Sequence, residues 1–364
     1  MSFLKKSIFL GVISWLSLSA EAQTIDTLKN VPQNQKKVKN VILMIGDGTG
    51  LAQWSAAQAC IPQKLKVFSL AEYLGLSLTS SSNDYITDSG AGATAFSIGQ
   101  KTYNGAIGVT KDSHPEFTIA EKLHVKGKST GLVATCGLTH ATPASFYGHQ
   151  VSRKMDKEIA NDFCSGFIDI AIGGGYPFFD TAKLRESGHT VYFGKNNLDS
   201  IDNKHFISFY DTTGNVPKFS EGRGDFERKA SLAAIRNLNK NKNGFFLMIE
   251  GSQIDWGGHE NDSNYVLNEV LDFDSTIEAV VNWAKKDGET LVIITADHET
   301  GGLTLVGYDK KNQKPAMHFS THHHTGIPVP VFAVGPGAEL FSGVYENTEI
   351  HYKILQLLQM NSKE

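Results

Sequence analysis

The sequence predicts an α/β domain with a mostly parallel central sheet and helices on both faces. Two observations predict it. First, five short runs are apolar and rich in β-branched residues without alternation: Val41–Ile45, Gly131–Thr135, Phe245–Ile249, Leu291–Thr295 and Val329–Val334. A strand of that kind must be covered on both faces, as parallel strands flanked by helices are. Second, stretches of helical spacing lie between the runs: Thr118–Val125, Lys154–Cys164, Phe226–Asn239 and Tyr265–Lys286. Strand, helix, strand in that order describes one α/β sheet. The 364 residues, 40% hydrophobic and 20% charged, are enough for one large core.

The ends of the chain read differently. Lys5 and Lys6 precede the mostly apolar Ile8–Leu18, and Ala20-Glu21-Ala22 forms an A-x-A cleavage site before Gln23. Residues 1–22 are therefore expected to be a signal peptide, and the protein periplasmic or secreted. The apolar run is short for a membrane span, and no later segment is apolar enough to be one. Residues 23–38 are polar and read as a flexible arm. Residues 39–364 read as one domain, with a polar insertion around 176–225 expected to lie over the sheet.

The formal net charge is −4, and no Lys/Arg run marks a nucleic-acid groove. Bulk attraction to polyanions is not expected, so an anionic substrate must be held locally by metal ions or a single Arg. Cys60, Cys136 and Cys164 fit no zinc spacing. An odd number leaves at least one thiol free. They read as small buried hydrophobes, with one disulfide left open.

The chemistry gathers where the strands end, which is where open α/β sheets bind ligands. Ile45 is followed by Gly46-Asp47-Gly48, Ile249 by Glu250-Gly251 and then Asp255, and Thr295 by Ala296-Asp297-His298. His322-His323-His324 precedes the last strand. Each acid alone reads as a turn former or helix cap. Together they cannot all ionise in a poorly solvated site unless cations are present. Mixed Asp and His ligands suit zinc, and oxygen ligands suit magnesium. Asp255 and His259 stand at i, i+4, on one side of a helical turn. Ser89 opens a run of small residues and is expected at a helix start, where free N–H groups favour an anion. The run is not a G-x-S-x-G elbow. Gly46-x-Gly48-x-Gly50 imitates a dinucleotide loop, but position 51 is Leu51 and Asp47 would repel a pyrophosphate.

With those residues in view, the chain resembles the alkaline phosphatase family from about Asn40 to Leu357. The motifs are Ile45-Gly46-Asp47-Gly48, Thr87-Asp88-Ser89 with Ala93-Thr94-Ala95, Lys101-Thr102-Tyr103-Asn104-Gly105, His140-Ala141-Thr142-Pro143, Ser152-Arg153, Glu250-Gly251, Thr295-Ala296-Asp297-His298 and His324-Thr325-Gly326. The resemblance implies hydrolysis of phosphate monoesters through a phosphoserine on Ser89, with two zinc ions and one magnesium. It implies that Asp255, His259 and His324 hold the first zinc, and Asp47, Asp297 and His298 the second. Asp47, Thr142 and Glu250 are implied as magnesium ligands. Arg153 is implied as the phosphate clamp, with Asp88 positioning it. Family members are usually homodimers.

Two positions depart from the best-known bacterial pattern: His140 stands where that pattern has Asp, and Trp256 where it has Lys. Losing the Lys removes a contact to phosphate, so weaker product binding is expected. Losing the Asp alters the surroundings of the magnesium. The rival readings are a superfamily phosphodiesterase, sulfatase or mutase, and a non-catalytic phosphate- or metal-binding protein. The sulfatase reading lacks its C/S-x-P-x-R motif at Ser89-Gly90-Ala91, and the binding-protein reading gives no reason to keep Ser89 and Arg153 together.

Overall fold

The computed structural model describes residues 37–310 and 314–360. The expected signal peptide and nearly all of the expected arm lie outside the described residues. The first part of the chain runs β1 (Asn40–Gly46), α1 (Leu51–Cys60), α2 (Lys66–Leu70), β2 (Tyr73–Leu78), α3 (Ser89–Ile98), α4 (Ile119–Val125) and β3 (Ser129–Gly137). Then come α5 (Ala141–Ala144), α6 (Asp156–Phe163), β4 (Ile170–Gly174), α7 (Thr181–Glu186), β5 (Thr190–Phe193), β6 (Phe206–Phe209) and α8 (Phe226–Leu238). Next are β7 (Phe245–Gly251), α9 (Gln253–Glu260), α10 (Ser263–Asp287), β8 (Thr290–Thr295), β9 (Glu299–Thr300) and β10 (Leu303–Asp309). The last are β11 (Lys314–Phe319), β12 (His324–Thr325), β13 (Val329–Val334), β14 (Gly343–Glu346) and α11 (Thr348–Leu357).

Ten strands form one sheet in the order β14-β2-β13-β8-β1-β7-β3-β4-β6-β5. Every neighbouring pair is parallel except those made by β13, which runs antiparallel to β2 and β8. The unbroken apolar runs follow from this burial. Along β1, Val41, Leu43 and Ile45 enter one core, while Ile42 and Met44 enter the other. Strand β8 divides the same way, with Leu291 and Ile293 against Val292 and Ile294. Successive side chains of a strand point to opposite faces, so a strand between two helical layers must be apolar at every position.

The helices carry local signals that set their ends. Thr118 and Glu121 form a reciprocal cap at the start of α4, with Oε2 of Glu121 accepting from the Thr118 amide at 2.7 Å. Asp262 caps α10, accepting from the amides of Asn264 and Tyr265, so that helix begins at Ser263, ahead of the expected Tyr265. The helix expected from Lys154 begins only at Asp156. Oγ of Ser152 takes the Lys154 amide in a turn, and this leaves Arg153 outside the helix.

The segment 176–225 is a correction. It was expected over the sheet, but β5 and β6 extend the sheet edge in parallel register, Phe206 facing both Ile170 and Thr190. Its strands are only four residues long, too short to show periodicity among their polar neighbours. The three cysteines are all free thiols, so the disulfide left open does not form. Among the described residues, no helix is long and apolar enough to cross a membrane.

His351 of α11 is buried against α3, where its Nδ1 meets the Phe96 carbonyl at 3.2 Å. Burial, and then the charge of Lys122, push its pKa down to about 4. The unfolded chain, with a His pKa of about 6.5, therefore binds the extra proton first. The stability from neutral His351 is fully present above that unfolded value and is lost as pH falls towards the folded one. Urea midpoints at pH 7 and pH 5 should show the native protein losing about 2 kcal/mol more than a His351→Gln variant. Parallel losses would remove His351 as the source.

Candidate active site

The carboxyl ends of three adjacent central strands, β8, β1 and β7, supply most of the site. Asp47 follows β1, Glu250 ends β7, and Asp297 and His298 follow β8. Helix α9 adds Asp255 and His259 one turn apart, with His259 Nε2 3.3 Å from Asp255 Oδ2. The short pairing of β12 with β9 sets His324 opposite Thr300 and so brings a late loop back over the strand ends. Gly48 closes the first turn with φ 71°; its amide donates to Asp297 Oδ1 at 3.2 Å and ties the β1 and β8 ends together.

Three imidazoles are oriented by their outer nitrogens. His259 Nδ1 meets the His322 carbonyl at 2.6 Å, and His324 Nδ1 meets the Thr87 carbonyl at 2.8 Å. A carbonyl only accepts, so both rings carry a proton on Nδ1 and turn Nε2 inward; the hydrogen bond to Asp255 pushes His259 up to about 9. His298 Nδ1 has Thr300 Oγ1 at 3.2 Å. The inward nitrogens crowd: His259 Nε2 and His324 Nε2 are 3.1 Å apart, and His324 Nε2 is 3.5 Å from Asp255 Oδ1. Such outer-atom partners are how proteins aim histidine at a metal.

The carboxylates crowd as well. Burial, then Asp297, Asp255 and Glu250, push the Asp47 carboxyl well above its ordinary range. Glu250 and Asp297 are each pushed up to about 7, chiefly by burial. Asp255 goes the other way: burial opposes it, but His259, His298 and His324 hold it ionised. Asp47 Oδ1 and Asp297 Oδ2 are buried without a hydrogen-bond partner. A buried, unpaired carboxylate oxygen is costly. Among the described residues, two groups converge closely enough to bind a metal ion: Asp255, His259, His324, and Asp47, Asp255, His298. Orphaned oxygens, inward-facing Nε2 atoms and mixed Asp/His donors fit zinc. Asp297, expected in the second group, lies with its Oδ2 3.4 Å from His298 Nε2. Thr142 Oγ1 stands 3.4 Å from Asp47 Oδ2, and with Glu250 it forms an oxygen-rich side that fits magnesium.

Ser89 is the first residue of α3, and Asp88, not Ser89, caps the helix by accepting the Ala91 amide at 3.0 Å. That leaves the Ser89 hydroxyl free to face the site, 3.3 Å from His298 Nε2. Asp88 also accepts from the Gly105 amide and, through Oδ2, from Arg153 Nη1 at 3.0 Å. Arg153 is thereby held beside Ser89 with guanidinium donors to spare.

His140 and Trp256 meet at the rim, ring centroids 5.4 Å apart. Burial, then Arg153, push His140 down to about 4. Sequence reasoning missed two polar neighbours. Thr300 Oγ1 donates to Asp255 Oδ1; only its place two residues after His298 hinted at it. Cys136, read as a buried hydrophobe, puts its thiol 3.3 Å from Glu250 Oε2, and no sequence spacing links the two.

A family model described as alkaline phosphatase matches residues 38–202, 228–318 and 307–360. The chain belongs to the alkaline phosphatase family. It is a phosphomonoesterase hydrolase. Alkaline phosphatase 3 of Bacillus subtilis (strain 168) is 34% identical, over 99% of this chain and 98% of that protein. The solved alkaline phosphatase of the Antarctic bacterium TAB5 is 42% identical with a TM-score of 0.85, over 90% of this chain and all of that one. A mutant of that enzyme, 41% identical with the same TM-score over 90% of this chain and 99% of its own, was solved with magnesium in its M3 site.

Gly48 cannot accept a side chain. A Cβ there would stand 2.7 Å from Thr300 Oγ1 and 2.8 Å from Asp255 Cα, on a positive φ. Gly48→Ala should cost about 1–3 kcal/mol and lower bound metal. Calorimetry and elemental analysis of the purified variant check both; an unchanged melting temperature and metal content would contradict the packing described.

Proposed function

We propose that the enzyme hydrolyses phosphate monoesters in two displacements at Ser89, with zinc held by Asp255, His259 and His324 and by Asp47, Asp297 and His298. Magnesium would be held by Asp47, Thr142 and Glu250. One observation carries the reading: a hydroxyl freed from capping by Asp88 stands 3.3 Å from the His298 imidazole, and the same Asp88 holds Arg153.

Arg153 receives the phosphate and can donate to two of its oxygens. Ser89 Oγ forms the bond to phosphorus as the bond to the alcohol oxygen breaks. Water then forms the new bond to phosphorus as the Ser89 oxygen departs, and inorganic phosphate leaves. The first-turn amides of α3 add partial positive charge beside the transferred group. When bound, the ions supply the charge that lowers the Ser89 hydroxyl pKa and neutralises the leaving oxygen. Phosphoryl transfer asks mainly for such positioning and charge stabilisation.

Trp256 offers only an indole N–H at the rim, so product phosphate is gripped chiefly by Arg153 and the metals. The cleaved signal peptide over 1–22, a periplasmic or secreted location and a homodimer belong to the same reading. It is supported by the leader pattern of Lys5 to Ala22 and by the family.

Ser89→Ala should lower monoester turnover at least about a thousandfold while bound zinc is retained. Kinetics on a monoester and a diester, run beside elemental analysis, test it. Unchanged turnover would remove Ser89 from the mechanism, and a native preference for the diester would overturn the role of Arg153. Trp256→Lys should tighten inhibition by inorganic phosphate roughly tenfold, the worth of one charge-assisted hydrogen bond. An unchanged inhibition constant would leave Trp256 as packing at the rim.

A further inference from the structure

The chain is acidic on balance, yet the end of the molecule opposite the active site is basic. Strands β1, β3 and β7 begin side by side, with Ser129 facing Phe245 and Val41 facing Phe246. The turns that feed them carry lysines in pairs: Lys37 and Lys39 before β1, Lys126 and Lys128 before β3, Lys240 and Lys242 before β7. Lys204 precedes β6. Two cavities open there. One of about 560 Å³ is lined by Lys37, Lys39, Lys126, Lys128 and Lys242, and one of about 550 Å³ by Lys128, Lys204, Lys240 and Lys242. Shared Lys128 and Lys242 make them adjoining stretches of one trough.

The acids in the trough are already engaged. Glu289 lies 3.8 Å from Lys39, and Asp169 holds His205 at 3.0 Å and the Thr130 amide at 2.8 Å. Asp202, just outside, pairs with Lys240. Among the described residues, Lys37, Lys204 and Lys242 have no acidic partner. Favourable placement at a helix end accounts for Lys126 after α4 and Lys240 after α8. It does not account for Lys37, Lys39, Lys204 or Lys242. Lys128 reports the resulting field: burial, then Lys37 and Lys39, push its ammonium down to about 8. Its Nζ donates to the carbonyls of Lys39 and Asn243, at 2.8 Å each, and so holds the strand entries around the trough.

We propose that this trough is a second anion-binding site, which holds a linear phosphate polymer at the end of the molecule away from catalysis. The shape favours a flexible chain, because a bilayer surface cannot follow two adjoining hollows. The lining contains no Phe, Tyr, Trp or Arg, so it can neither stack bases nor read a planar edge as nucleic-acid sites do. Lysine is a compact, strongly hydrated charge and pairs best with a strongly hydrated phosphate oxyanion. Since the site lies at the amino ends of the strands, a bound polymer leaves the catalytic end open.

The test uses the full metal-loaded chain with Ser89→Ala, to prevent turnover, and fluorescent long-chain inorganic polyphosphate. Saturating orthophosphate occupies the catalytic end. Anisotropy should report binding that orthophosphate does not displace, with a log–log salt slope on the order of −4 for about six neutralised charges. Adding Lys37→Glu, Lys204→Glu and Lys242→Glu should weaken it at least about tenfold. The same triple change in the native enzyme should leave monoester turnover unchanged, which shows that the fold survives. Displacement by orthophosphate, or equal affinity in the triple variant, would overturn the site. Tighter binding of heparin or of phosphatidylglycerol vesicles than of polyphosphate would overturn the assignment to a phosphate polymer.

Discussion

Everything at the catalytic end depends on one electrostatic conflict. Asp47, Glu250, Asp255 and Asp297 are buried within one pocket, and their charges raise one another's pKa. Of the four, only Asp255 is held below its ordinary range, by three histidines. A chain that folds to bury four carboxylates there must bring positive charge to them or leave them protonated. The donor set answers with imidazoles that turn one ring nitrogen inward. The groups that enforce this are mostly backbone carbonyls, from Thr87 and His322, so the aim of the histidines belongs to loop geometry and not to side-chain choice.

The parallel sheet turns this conflict into a directed site. Neighbouring strands β8, β1 and β7 release the chain at one end, so Asp47, Glu250 and Asp297 emerge together without any loop having to reach far. Two arrivals from elsewhere complete the set. Helix α3 delivers Ser89 because Asp88 takes over the capping role, and the same carboxylate holds Arg153. One side chain thus frees the proposed nucleophile and positions the proposed anion clamp, and coupling of this kind makes effects at the two positions non-additive. The opposite ends of the same strands collect lysines in their entry turns, so one topology separates a catalytic end rich in acids from a basic end.

Much of the fold was legible because burial on both faces leaves a strong mark. Val41–Ile45, Phe245–Ile249 and Leu291–Thr295 sit within strands one or two residues longer. Strands β2 and β14, towards the other edge, were not seen. Their outer residues face solvent, as Tyr73, Leu74 and Val344 do, and Gly75 is there because the Phe341 carbonyl would lie 2.2 Å from a Cβ. A residue chosen for close backbone approach carries no periodic signal. The edge strand β5 and its neighbour β6 were missed because each is only four residues long.

The sequence by itself determined the family, the strand order of the motifs and the identity of the candidate ligands, because Asp47, Glu250 and Asp297 each follow a recognisable apolar run. Tertiary structure alone decided which residues serve the ligands. Thr300 supports Asp255, Cys136 touches Glu250 across 114 residues of chain, and carbonyls with no side-chain signature set the histidine tautomers. It alone gathered lysines from four separate turns into one field, which an average charge of −4 conceals. The physical reason is common to both: Coulomb and hydrogen-bond energies depend on distance in space, and local sequence pattern records only burial and backbone conformation.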